Sequence, residues 1–157
     1  MAHKSERAKI MSFGLRRLLL RKRVLKDLQM KNKNTKAMTV SEKASGVVFE
    51  SNLEKTRFYL AGDTIYCQYV VDAIEKYTPG VVAVNAAGAQ FPLGHLLIMN
   101  QYDVRSLMRR FPEIDVIATH VEGVSHATVT RPLLRKFARE NNLNRLFIPN
   151  DGQTIEF

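Results

Sequence analysis

Two short runs carry side chains whose types and spacing could do chemistry. Ala61-Gly62-Asp63-Thr64 puts a carboxylate just after a run that reads as a strand. Ala118-Thr119-His120-Val121-Glu122-Gly123-Val124-Ser125-His126 puts imidazoles just after another. A carboxylate on one strand end and one or two imidazoles on a later one can hold Zn²⁺ or Mn²⁺. An activating site gives each ion three or four protein ligands, so this set is about half of a two-metal site. Asp63, Asn85, His120 and Asp151 all fall at expected C-terminal strand ends. In open α/β sheets that edge brings side chains from separate elements into one crevice.

The elements that must position these residues begin near Gly46. Residues 46–50 read as a strand, 51–55 as a turn, and 56–61 as a second strand running into Gly62-Asp63. Thr64 is expected to cap the following helix, which passes through Tyr69-Val70-Val71 and Ile74 to Tyr77 and is stopped with help from Pro79. The continuous apolar run at 80–85 reads as a strand buried on both faces. A Gly/Ala-rich loop at 86–95 leads to a helix over 103–111, ended before Pro112. A buried strand over 114–119 ends at His120. An amphipathic helix covers 132–141 with Pro132 in its first turn, and strands at 146–148 and 154–157 close the chain. This alternation of strands with ten-residue helices argues α/β.

The chain has 157 residues, enough for one domain with a sizeable core and too few for two ordinary ones. Its apolar (45%) and charged (25%) fractions are those of a globular protein. One cysteine, Cys67, excludes an internal disulfide framework and fits a reducing compartment. No apolar run approaches about 18 residues, so no membrane span is expected. No apolar stretch with a cleavage site follows the basic start, and a cytoplasmic location is the expectation. The net charge of +9 is unevenly placed. Of the 24 Lys/Arg and 15 Asp/Glu, 13 and 3 lie in residues 1–45, a balance of +10 that leaves −1 for the remainder. Residues 1–45 therefore read as a basic arm, partly helical or disordered, and 46–157 as the folded body. Within the arm, Leu15, Leu18, Leu25 and Leu28 form a stripe at helical spacing over 15–28, and 31–36 reads as an unstructured linker.

The ordered set of motifs resembles a known family. Tyr59-Leu60-Ala61-Gly62-Asp63-Thr64, Val84-Asn85-Ala86-Ala87-Gly88-Ala89-Gln90-Phe91, His120 to His126, Thr130-Arg131 and Ile148-Pro149-Asn150-Asp151-Gly152 together look like the C-terminal half of the metallo-β-lactamase superfamily. They are most similar to its metal-dependent hydrolases related to sugar-phosphate lactonases. Gly-Asp-Thr alone is a weak signal, whereas the full set over about 110 residues is specific. The resemblance implies half of an αββα sandwich after the basic arm. It makes Asp63 the carboxylate bridging two divalent ions, Zn or Mn, and His120 a ligand of the second. It places His126, Asn85 and Gln90 beside the site, contacting substrate or supporting the ligands. Hydrolysis of a small lactone, ester or phosphoester is the activity it implies. The family's His-x-His-x-Asp-His signature is absent: His3, His95, His120 and His126 are the only histidines and do not form it. Leu93-Gly94-His95-Leu96 also stands where relatives tend to have small residues. A truncated half-domain is the expectation.

Plainer readings stand beside these. Asp63 could be a turn or capping aspartate, His120 a hydrogen-bonded strand-end histidine, and His126 and His95 loop residues. Asp151-Gly152 reads first as a turn, and Cys67 as a small packing residue. For the whole chain there are two alternatives to a hydrolase. One is a catalytically silent half-domain that associates with itself or with a complementing chain. The other is a nucleic-acid binder acting through the basic run between Arg16 and Lys26, although that run lacks interleaved aromatics and could equally meet an anionic membrane surface or be a solvated tail.

Overall fold

The computed structural model describes residues 9–11, 35–39, 46–52, 55–90, 96–123 and 126–157. Among these residues, eight strands are β1 (Lys9–Met11), β2 (Thr35–Thr39), β3 (Val47–Ser51), β4 (Phe58–Leu60), β5 (Val81–Asn85), β6 (Asp115–Thr119), β7 (Leu146–Phe147) and β8 (Thr154–Glu156). Three ten-residue helices are α1 (Gln68–Tyr77), α2 (Gln101–Arg110) and α3 (Arg131–Glu140). Six strands form one sheet in the order β2-β3-β4-β5-β6-β7, antiparallel from β2 to β4 and parallel from β4 to β7. A helix follows each of β4, β5 and β6, which is how successive parallel strands are joined. β8 pairs with β1 in a separate two-stranded antiparallel sheet.

The period-two geometry of β5 explains its unbroken apolar sequence. Val82 and Val84 face the helices, where they join Val116 and Ala118 of β6 and pack on Val70 and Ile74, Val104 and Leu107, and Leu134. Val81 and Ala83 point the other way, with Ile117, against Phe58, Leu60, Phe147, Ile155 and Phe157. All five β5 residues are buried. Each large side chain so enclosed contributes about 1.5–3 kcal/mol, so this central strand anchors the sheet.

The helix starts are set locally, in two cases by a polar side chain. Asn100 Oδ1 accepts from the Tyr102 and Asp103 N–H groups at 2.9 and 3.0 Å. Thr130 Oγ1 accepts from Leu133 N–H at 3.3 Å. The first helix departs from expectation: Cys67, not Thr64, is its N-cap, and no side chain caps it. Thr64 is held in the preceding loop, where its carbonyl accepts from Met99 N–H at 3.0 Å and its hydroxyl donates to Ile65 O. The second helix begins at Gln101, two residues before the expected start, because Asn100 is its cap. Thr35 and Lys36 lie in β2, paired with β3, and not in an unstructured linker. The expected helix over 15–28 lies outside the described residues, as do His3 and His95. Among the described residues no helix is long and apolar enough to cross a membrane.

Candidate functional site

Asp63, Asn85 and Thr119-His120 follow or end β4, β5 and β6, three adjacent strands, so all reach the same sheet edge. Hydrogen bonds connect them in order. Asn85 Nδ2 donates to Asp63 Oδ1 at 2.5 Å. Thr119 Oγ1 lies 2.8 Å from Asn85 Oδ1 and 3.0 Å from Val84 O, sharing its single proton between the two acceptors. The orientation of the Asn85 amide follows from its neighbours. Asp63 as a carboxylate can only accept, so the amide nitrogen must face it. Asn85 is the one buried polar residue among the described ones, and burial without partners would be unfavourable. Asp63 itself is exposed at the mouth of the edge.

The loop carrying Asp63 turns at Gly62, where φ is 73°. It is tied to the start of α2 through Met99 N–H and through Asp103. Burial pushes the Asp103 carboxyl above its ordinary range, and hydrogen bonds from the Asn100 and Tyr66 backbone N–H groups pull it partly back. The loop after β5 packs tightly: Ala86, Ala87, Gly88 and Ala89 are all buried. Gly88 has φ 59°, and a Cβ there would lie 2.7 Å from both Thr128 Oγ1 and Val129 Cγ2. Thr128 Oγ1 instead donates to Gly88 O at 2.7 Å, which fixes the approach of this loop to the segment following His120.

His120 is half-buried with φ 58°, a left-handed conformation rare for a non-glycine residue. Its Nδ1 is shielded from solvent and has no hydrogen-bond partner among the described residues. Gly123 lies alongside, and a Cβ there would come within 3.3 Å of that nitrogen. Two residues on, Glu122 also has positive φ, 64°. Its carboxylate accepts from the Arg131 main-chain N–H at 2.9 Å and from the guanidinium at 2.7 Å. The Arg131 backbone N–H first, and the guanidinium after it, hold Glu122 below the usual carboxylate range. Arg131 also binds the Asp151 carboxylate and donates to Pro149 O at 3.0 Å. Thus Asp151, expected at a strand end, serves here as a partner of Arg131.

The remaining candidates stand apart. Gln90 and His126 are exposed, and neither side chain makes a hydrogen bond among the described residues. Gln90 contributes instead through its backbone, in an isolated bridge to Leu96. Thr119 and the Glu122–Arg131 link were not assigned roles from sequence. Thr119 immediately precedes His120, and Thr130-Arg131 stands among the family-like motifs, but nothing in the spacing reveals the contacts.

Asp63 and His120 carry donor atoms that suit a divalent cation, and the shielded His120 Nδ1, without a hydrogen-bond partner among the described residues, is an atom such an ion would satisfy. No group of three or more His, Cys, Asp or Glu converges among the described residues.

No family model matches the chain. The UPF0173 protein YddR of Bacillus subtilis is 32% identical over 114 residues, which are 71% of this chain and 44% of that protein. Among solved structures, a possible metal-dependent hydrolase from Veillonella parvula is 33% identical at a TM-score of 0.68, covering 71% of this chain and 43% of its own. The isothiocyanate hydrolase from Delia radicum gut bacteria is 25% identical at 0.68, with 78% and 54% covered. The metallo-β-lactamase fold protein YhfI from Bacillus subtilis, 12% identical at 0.51 with 78% and 48% covered, shares the fold alone. The chain has the fold of the metallo-β-lactamase superfamily. It has the C-terminal half of that superfamily's αββα sandwich, preceded by the basic arm. It spans about half the length of the relatives it matches, and the edge bearing Asp63 and His120 belongs to that half-fold.

Proposed function

We propose that this chain supplies one half of the metal centre of a metal-dependent hydrolase, with Asp63 as a bridging carboxylate and His120 as an imidazole ligand. The observation that supports this is the hydrogen-bonded row Thr119–Asn85–Asp63 along one sheet edge, beside a half-buried imidazole with a nitrogen that has no partner among the described residues. Asn85 fixes one oxygen of Asp63 by an N–H donation. Thr119 fixes Asn85 in turn. When bound, a divalent ion, Zn²⁺ or Mn²⁺, would polarise a scissile oxygen and acidify bound water. The substrate class is a small lactone, ester or phosphoester.

Two donors do not close a centre, so the remaining ligands come from outside the described residues, and a complementing chain or a second copy is the reading that follows. On its own the chain is expected to bind metal weakly and to turn over slowly or not at all. The test is isothermal titration of the full chain with Zn²⁺ and with Mn²⁺, alongside hydrolysis assays on ester, lactone and phosphodiester substrates. Binding that Asp63→Ala and His120→Ala each weaken by at least tenfold is expected. If neither substitution changes metal affinity, these residues are not ligands and the reading fails.

A further inference from the structure

We propose that Arg131 is a positioning residue for His120, acting through Glu122; the inference rests on reading His120 as a metal ligand. Metal-binding histidines are ordinarily oriented by a hydrogen bond to the second ring nitrogen. Neither ring nitrogen of His120 makes such a bond among the described residues, and the neighbouring Gly123 offers no side chain to press against the ring. The direction of the imidazole is therefore set by its backbone.

That backbone is held where L residues stay only when their surroundings over-determine them, with φ 58° at His120 and 64° at Glu122. Thr119 bonds to the sheet on one side of His120. On the other side, Glu122 is gripped twice by Arg131, through the main-chain N–H at 2.9 Å and the guanidinium at 2.7 Å. Arg131 is itself immobilised by the Asp151 carboxylate and by Pro149 O. It sits in the first turn of α3, so the turn bearing His120 is locked to a helix and to the loop before β8 at once. The guanidinium fork matters, because it serves two carboxylates and a carbonyl in fixed directions. A lysine keeps the charge and cannot make that set.

The experiment uses the full chain with ¹³C,¹⁵N-labelled histidine and compares wild type, Arg131→Lys, Glu122→Gln, Glu122→Gly and the Glu122→Gly/Arg131→Lys double variant. Two quantities are read. The first, without metal, is the ³J(HN,Hα) coupling and ¹³Cα shift of His120, which report its φ, together with its ring ¹⁵N shifts. The second is the Zn²⁺ Kd by competition with a chromogenic chelator, with His120→Ala as the zero point. Arg131→Lys is expected to move or broaden the His120 backbone and ring signals and to weaken Zn²⁺ binding about tenfold or more, the range for losing an orienting partner. Glu122→Gln, which attacks the same link from the other side, is expected to act in the same direction. In the Glu122→Gly background the anchor is gone, so Arg131→Lys is expected to change Kd by less than about twofold. Unchanged His120 signals in Arg131→Lys, or an equal effect of that substitution in both backgrounds, would overturn the proposal. If no variant binds Zn²⁺, the metal-centre reading fails, while the metal-free His120 signals still decide whether Arg131 sets its geometry.

Discussion

Replacing Asn85 by aspartate is the sharpest perturbation of the candidate site. The change is nearly isosteric, yet it turns a donor facing Asp63 into a second carboxylate. The present contact spans 2.5 Å between Asn85 Nδ2 and Asp63 Oδ1. Two negative charges about 3 Å apart repel by about 1.4 kcal/mol in bulk water and about 5.5 kcal/mol at an effective dielectric of 20. Asp63 is exposed and Asn85 buried, so the real value falls between these limits. Adding the lost hydrogen bond, about 1 kcal/mol, the expected destabilisation of Asn85→Asp at pH 8 is about 3–4 kcal/mol. The pair in the folded variant would share a proton that the unfolded chain does not hold. Its folded pKa is raised, so the variant is near wild-type stability at low pH and loses stability as pH rises from about 4 through the folded value. Urea denaturation at pH 5 and pH 8 measures this. At an m-value of about 1.5–2 kcal/mol/M, the midpoint should fall by about 2 M at pH 8 and by less than half of that at pH 5. A loss independent of pH would show that Asp63 and Asn85 are not in contact, and with it the row along the edge would fall.

Two further outcomes are expected. The Tyr59 hydroxyl is buried without a hydrogen-bond partner among the described residues, and burial first, then the nearby Cys67, pushes its pKa up to about 12. The folded state keeps a proton that the unfolded chain loses near pH 10, so stability should decline between pH 10 and 12, by up to about 2.7 kcal/mol; thermal melts over that window should show a decline that Tyr59→Phe largely removes. Gly88→Ala combines a φ of 59° with a Cβ 2.7 Å from Thr128 Oγ1 and Val129 Cγ2, so a loss of about 2–4 kcal/mol is expected in urea melts; a loss under about 0.5 kcal/mol would mean that the loop is not packed against that segment.

Much of the fold was legible because its signals are local. The continuous apolar run at 80–85 reads as a strand covered on both faces, and β5 is that strand. Ten-residue amphipathic stretches became α1, α2 and α3 within a few residues of expectation. The helix starts were less legible. Thr64 has the right chemistry for a cap, but its carbonyl is claimed by Met99 N–H, a contact 35 positions away in sequence that no local pattern encodes. Asn100 is an equally plain capping residue, but the apolar periodicity of its helix begins only at Val104, which places the expected start too late.

For the site, the chain's own sequence determined the donor types and their order: a carboxylate after one strand, an amide after the next, an imidazole after a third. It also determined that histidines are too few to complete a two-metal centre. Side-chain chemistry and count are properties of composition, and need no coordinates. Only the tertiary structure decided which of those groups meet. The parallel register of β4, β5 and β6 brings Asp63, Asn85 and Thr119 into one hydrogen-bonded row. It leaves Gln90 and His126 exposed and without side-chain hydrogen bonds among the described residues, and it recruits Arg131 to hold the turn that carries His120. Those pairings depend on strand register and on backbone conformations such as the positive φ at His120 and Glu122. Both are settled by packing between segments distant in sequence, which is why the chemistry could be read from the residues and their partnership could not.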